Sequence, residues 1–124
     1  MLFRSEFGNA IYFLLTRDEY SAWHKLEEHE SWVHLDGAPL DLYQITTQLT
    51  EPKFETNLLD RDNGIHIKSI PAGDWMAAKT MGDWSLVISF LAPPFSKMQL
   101  MDQVTFDELS QKFDLPKLLG KETD

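Results

Sequence analysis

No cysteine occurs in this 124-residue chain, so neither disulfides nor thiolate metal sites can contribute and the fold must stand on packing. No apolar run approaches the ~18–20 residues that a membrane-spanning helix needs. The longest, Ala10 to Leu15 and Leu86 to Leu91, are strand-sized. The opening MLFRSEF lacks the cationic start, apolar stretch and cleavage site of a secretory signal, so a cytoplasmic location is expected. The six glycines are scattered at turns, which excludes a phosphate-cradling loop. There is no G-x-S-x-G elbow, no H-E-x-x-H, no internal repeat and no motif that marks a family. Positive charge is also scarce: 11 Lys and Arg face 20 acids, for a net −9. Such a surface repels nucleic acid and anionic membranes at long range, so no direct nucleic-acid binding and no membrane partner are expected.

What the chain does have is a centre. Ile65 to Leu91 holds three strand-like runs parted by Pro71-Ala72-Gly73-Asp74 and by Gly82-Asp83. The second break is a two-residue loop of the type II′ kind, so Trp75 to Met81 and Trp84 to Leu91 are expected to pair as a hairpin in mid-sheet. Gly8-Asn9 gives a similar signal ahead of Ala10 to Leu15, and Asn63-Gly64 a strong turn. Ser31 to Leu35, Phe54 to Leu59 and Lys97 to Val104 read as further strands. Leu40 to Thr50 fits a helix through Leu42, Ile45 and Leu49, and a strand through Tyr43, Ile45, Thr47 and Leu49.

Two Thr-x-x-Glu capping boxes, Thr16 to Glu19 and Thr105 to Glu108, mark helix starts. The first predicts a helix over 17–29 with Tyr20, Trp23 and Leu26 on its packed side. The second predicts a short helix carrying Phe106, Leu109 and Phe113, with one more turn at Pro116 to Leu119. Together these signals predict one α+β domain over 1–124. Its antiparallel, meander-like sheet has five to seven strands, two or three helices pack on one side, and 119–124 forms a flexible tail.

Chemistry is harder to place. His24 and Glu28 stand four apart on the predicted helix, yet no second cluster at ligand spacing accompanies them, so surface histidines are expected and neither a metal nor a cofactor is assigned. Asp60 and Asp62 resemble the start of a calcium loop, but Gly64 falls at its position 5 instead of 6 and Pro71 where the bidentate glutamate belongs. No catalytic residue is assigned and the chain is read as a non-enzyme.

The distribution of acid suggests a function. Segments 16–35, 36–64 and 100–124 sum to −3, −4 and −3, while 65–99 is +1. Acids beside an exposed tryptophan suit a basic protein partner, the charge steering the encounter and the indole anchoring it. The reading is therefore a small inhibitor, in the manner of a bacterial immunity protein or antitoxin, covering the cationic cleft of a nuclease-type toxin. Its binding residues would be Asp18, Glu27, Glu28, Glu30, Trp32, Glu55, Asp60 and Asp62. The alternatives are a nucleic-acid mimic that inhibits a DNA- or RNA-binding protein, and a small enzyme or ligand-binding domain. The last would show a deep pocket containing His24 or His66 with a shifted pKa. The oligomeric state is left open.

Overall fold

The computed structural model describes residues 2–120. Ten strands run β1 (Leu2–Arg4), β2 (Asn9–Thr16), β3 (Tyr20–Leu26), β4 (His29–Gly37), β5 (Leu40–Thr46), β6 (Lys53–Leu59), β7 (Ile67–Ile70), β8 (Trp75–Thr80), β9 (Trp84–Ala92) and β10 (Met98–Leu100). A 3-10 turn, Arg61–Asn63, and one helix, α1 (Gln103–Ser110), complete them. The strands form two antiparallel five-stranded sheets, ordered β1-β2-β9-β4-β7 and β10-β3-β8-β5-β6.

The expected single meander with two or three helices is thus replaced by two stacked sheets and one helix. The expected Gly82-Asp83 hairpin fails for the same reason. β8 lies at the centre of one sheet and β9 at the centre of the other, so the turn carries the chain between layers. It packs on the β4–β5 link, where a Cβ on Gly82 would stand 2.7 Å from that of Ala38.

The expected helix over 17–29 is β3 running into β4. Thr16 Oγ1 does donate to Glu19 Oε1 at 2.9 Å, and the Glu19 amide to the Thr16 carbonyl at 3.0 Å, but this closes a β-turn. The three-residue spacing that imitated a helix comes from a bulge, where the β3–β8 register shifts between Ser21 and His24. Trp23 then faces one side of the sheet and His24 and Leu26 the other.

Period-two alternation builds the interior. On β9, Ser85, Val87, Ser89 and Leu91 are buried while Leu86, Ile88 and Phe90 face outward. Leu15, Leu26, Trp32, Leu40, Leu42, Met76 and Val87 fill the space between the sheets. A second cluster lies on the far side of the second sheet. There Trp23, Tyr43, Ile45 and Trp75 are covered by Met101, Phe106 and Leu118 of the chain after β10. β5 is therefore buried on both faces, which settles Leu40–Thr46 as strand and explains its double periodicity.

The helix start is displaced as well, since Asp102 caps α1 by accepting from the Thr105 amide at 2.7 Å. Of the expected tail, 121–124 lie outside the described residues, and the Leu119 carbonyl accepts from the Tyr20 hydroxyl at 2.6 Å. Among the described residues no helix is long and apolar enough to cross a membrane.

Candidate functional site

The inner faces of the sheets do not close completely. Between them lies a cavity of about 290 Å³, walled by Ile11, Phe13, Leu26, Trp32 and Leu91 and holding a few polar groups: Ser21, His24, Glu30 and Ser89. The rings of Phe13 and Trp32 stack across its wall at 6.0 Å. Arg4, Asn9, Phe95 and Met98 also line it. The loop before β10 is tied down on two sides. Asn9 Oδ1 accepts from the Phe95 amide, and the buried Glu28 carboxylate accepts from the Ser96 amide at 2.7 Å and its hydroxyl at 3.2 Å.

Strand geometry brings the polar groups together from three strands, β3, β4 and β9. The β3 bulge turns both Ser21 and His24 inward. β4 sends in Glu30 and Trp32 at alternate positions, and the register sets Trp32 opposite Ser89 of β9. Three of the atoms so gathered are buried with no hydrogen-bond partner: Glu30 Oε1, Trp32 Nε1 and Ser89 Oγ. Buried polar atoms are rarely left unpaired, because each costs about 1–3 kcal/mol. Such a cluster in a cavity wall is fit to receive polar atoms of a ligand.

Burial sets the ionisation of both titratable groups. Loss of water pushes the Glu30 carboxyl up to about 7. Ser89 and Trp32 pull it down without closing a hydrogen bond on Oε1, and the neighbouring Glu28 charge adds to the rise. His24 moves the other way: burial holds its pKa below 6.5, only partly offset by the Ala22 carbonyl. That carbonyl lies 2.7 Å from Nδ1, which must therefore carry the proton and leave the lone pair on Nε2. The cavity thus joins a neutral histidine to a carboxyl that is half-protonated near neutrality, the ionic states a base and an acid need. Among the described residues no three His, Cys, Asp or Glu gather closely enough to hold a metal ion.

The other histidines differ. His34 is buried but spent, accepting from the Arg61 amide on Nδ1 at 3.0 Å and donating from Nε2 to the Ala38 carbonyl at 2.9 Å. His66 is exposed and lines no part of the cavity.

The eight residues expected to bind a basic partner do not form one surface. Glu30 and Trp32 wall the cavity, and Glu28 is buried beneath the Ser96 loop. Asp60 is buried as cap of the 3-10 turn. Glu27, Glu55 and Asp62 pair with Lys97, Lys53 and Arg61 at 3.2, 3.0 and 3.7 Å. Asp18 is exposed in the β2–β3 turn. Sequence reasoning missed Ser89, Ser21 and the bulge. Their one legible signal was serine alternating with large aliphatics along β9, an inward face too small to fill its space.

Comparison with known proteins accords with this geometry. Residues 4–101 match the family described as cupin superfamily (DUF985). Protein SO0799 from Shewanella oneidensis superposes with a TM-score of 0.79 at 27% identity, over 94% of this chain and 77% of that one. A hypothetical protein from Leishmania major gives 0.70 at 21%, over 85% and 70%. A dTDP sugar isomerase from Desulfovibrio desulfuricans gives 0.67 at 13%, over 81% and 68%. No curated protein matches. The family match overturns the reading as an immunity protein or antitoxin, and with it the basic toxin partner. The reading as a non-enzyme falls too, because it rested on missing linear motifs and this architecture also carries a sugar isomerase.

Proposed function

The chain belongs to the cupin superfamily (DUF985), and on that premise we propose that the cavity between its sheets binds a small organic molecule and moves a proton on it. His24 takes the proton through Nε2, and the protonated Glu30 supplies one to an oxygen of the ligand. The observation that carries this reading is the pairing, in one mostly apolar cavity, of a neutral histidine with a carboxyl held near 7. A group with pKa near the working pH exchanges protons most effectively in either direction.

Size and lining narrow the ligand. An apolar cavity of roughly 150 Å³ takes benzene. One of about 290 Å³ therefore suits a single ring or a chain of five or six carbons. A whole nucleotide-sugar exceeds it, so any such ligand would leave most of its length outside. The unpaired atoms of Glu30, Trp32 and Ser89 ask for a carbonyl or hydroxyl at the inner end, and Ile11, Phe13, Leu26 and Leu91 for an apolar flank. A small hydroxy-carbonyl compound meets both demands, and its C–H beside the carbonyl is the proton such a pair can move. The isomerase of the same fold supports this class, and the cysteine-free composition supports a cytoplasmic setting.

Solvent-deuterium exchange tests the proposal. Five- and six-carbon hydroxy-aldehydes and hydroxy-ketones are incubated with the protein in D₂O, and the carbonyl-adjacent proton is followed by NMR. A subset is expected to exchange faster with protein than without. His24→Gln should slow that exchange by about 10²- to 10⁴-fold. Exchange that survives both His24→Gln and Glu30→Gln, or a panel with no accelerated member, would contradict it.

A further inference from the structure

The cavity is buried at one end and open at the other. Glu30, Trp32 and Ser89 lie deep, whereas Arg4, Phe95 and Met98 line it from exposed positions. Among the described residues Arg4 is the only Lys or Arg in that lining. Elsewhere Arg17, Lys53, Arg61 and Lys97 each meet a carboxylate, and Lys25 lies over the Trp75 ring at 4.8 Å. Arg4 has no such partner among the described residues, in a chain with 20 acids to 11 bases. Its charge is left free at the mouth.

Register sets a second donor beside it. Arg4 of β1 stands directly opposite Asn9 of β2 and both line the cavity, so their side chains leave neighbouring positions on one face. Asn9 is only 8% exposed. Its Oδ1 accepts from the Phe95 backbone amide, which fixes the side chain's orientation and leaves the Nδ2 hydrogens without an acceptor among the described residues. Buried amides normally use both ends. The same row continues inward: Asn9 stands opposite Leu91 and Leu91 opposite Glu30. Strands lie about 4.8 Å apart, which puts Glu30 roughly 10 Å from Asn9 and roughly 14 Å from Arg4, backbone to backbone. Apolar Leu91 separates the two polar ends.

We propose that Arg4 and Asn9 form an oxyanion site for the outer end of the cavity's ligand, which is then a hydroxy-carbonyl compound carrying a terminal phosphate or carboxylate. The inference rests on the assignment of the cavity to such a compound and adds the charge at its far end. With Oδ1 of Asn9 already used, the pair offers N–H donors and no acceptor, which suits an anionic oxygen better than a hydroxyl. At the mouth the anion keeps part of its water, so the cost of burying charge stays small. In a chain of net −9, a local cation is also what offsets repulsion of an anionic ligand.

Equilibrium titration by calorimetry and NMR tests the site without requiring turnover. Five- and six-carbon hydroxy-aldehydes and hydroxy-ketones are compared with counterparts bearing a phosphate or a carboxylate on the carbon farthest from the carbonyl. Anionic members should bind about tenfold tighter or more, as a charge-assisted hydrogen bond allows, and should move the Asn9 side-chain amide signals. Whichever oxyanion leads names the class, and its advantage should shrink as salt rises. Arg4→Met should bring the anionic-to-neutral ratio close to one, and Arg4→Lys should keep part of it. Asn9→Asp retains the acceptor for the Phe95 amide but replaces the donor with a charge, so it should lower the ratio too. If that variant fails to fold, Arg4→Met, at an exposed position, still decides. Equal binding of neutral and anionic members, or a ratio that survives Arg4→Met, would overturn the site and leave the proton-transfer reading standing. A ratio that behaves as stated, with no member exchanging its proton in D₂O, would support the site and overturn proton transfer. A panel in which nothing binds would overturn both.

Discussion

Glu30→Gln is expected to stabilise the protein by about 2–3 kcal/mol near pH 8 and to change it little near pH 4, by the proton linkage of a group whose folded pKa is raised. Below about 4.5 the folded and unfolded chains both hold the Glu30 proton. Between about 4.5 and 7 only the folded chain holds it, so stability falls as pH rises through that window and is level above it. His24 acts in the opposite sense. Its folded pKa lies below 6.5, so stability is lost as pH falls through and below that value. In the wild type the two slopes oppose each other, and the glutamine variant shows only the histidine's. Denaturant unfolding of both proteins across pH 4 to 8 isolates the carboxyl: the difference should grow from about 4.5 to 7 and then level. A difference that stays constant with pH would mean that Glu30 titrates normally.

Trp23→Ala is expected to cost about 3–5 kcal/mol, because it empties a large buried site that cannot readily collapse. Trp23 is wholly buried between the second sheet and the chain that follows β10, with the Tyr43 and Phe54 rings 6.2 and 6.4 Å away. It also holds that segment by three bonds. The indole Nε1 donates to the Pro116 carbonyl at 3.0 Å, its amide to the Leu118 carbonyl at 2.8 Å, and its carbonyl accepts from the Met101 amide at 3.0 Å. Losing the indole therefore removes both packing and an anchor, and 102–120 should become the first site of proteolytic cleavage. Trp84→Ala is the control: the residue is 41% exposed, and the cost should stay below that of Trp23→Ala by more than half. A Trp23→Ala loss under about 1 kcal/mol with unchanged cleavage would show that the segment is held by other means.

These two tryptophans also show what could be read from the chain. Trp23 could be assigned to the core because apolar residues recur around it, but the recurrence has a period of three and so resembles a helix. The β3 bulge that produces it depends on β8, fifty residues away, and leaves no local mark. Local chemistry was legible where it acts locally: Asn63-Gly64 makes its turn with Gly64 at φ 78°, and Lys53–Leu59 is a strand. It misled at Gly82-Asp83, since a tight turn looks the same whether it joins neighbours in one sheet or passes between two. For Leu40–Thr46 the alternation vanished because both faces are buried.

The site was half legible. His24 was expected at the surface and, with His66, entered a pocket only under the ligand-binding alternative, and Glu30 and Trp32 stood among the eight residues expected to bind a basic partner. The latter two were assigned to the surface because net charge says how many acids there are and not where they point. Glu30 faces inward because Trp32 and His34 on the same strand do. That alternation becomes decisive only once β4 is known to lie between β9 and β7.

The most direct test of the cavity as a binding site is the NMR signal of the Trp32 indole N–H, an unpaired buried donor in its wall. Titration with small hydroxy-carbonyl compounds should move that resonance together with the His24 ring signals, and Ser89→Leu, which fills the space beside it, should abolish both shifts. If compounds bind while neither signal moves, or both shifts persist with the space filled, the ligand is held elsewhere.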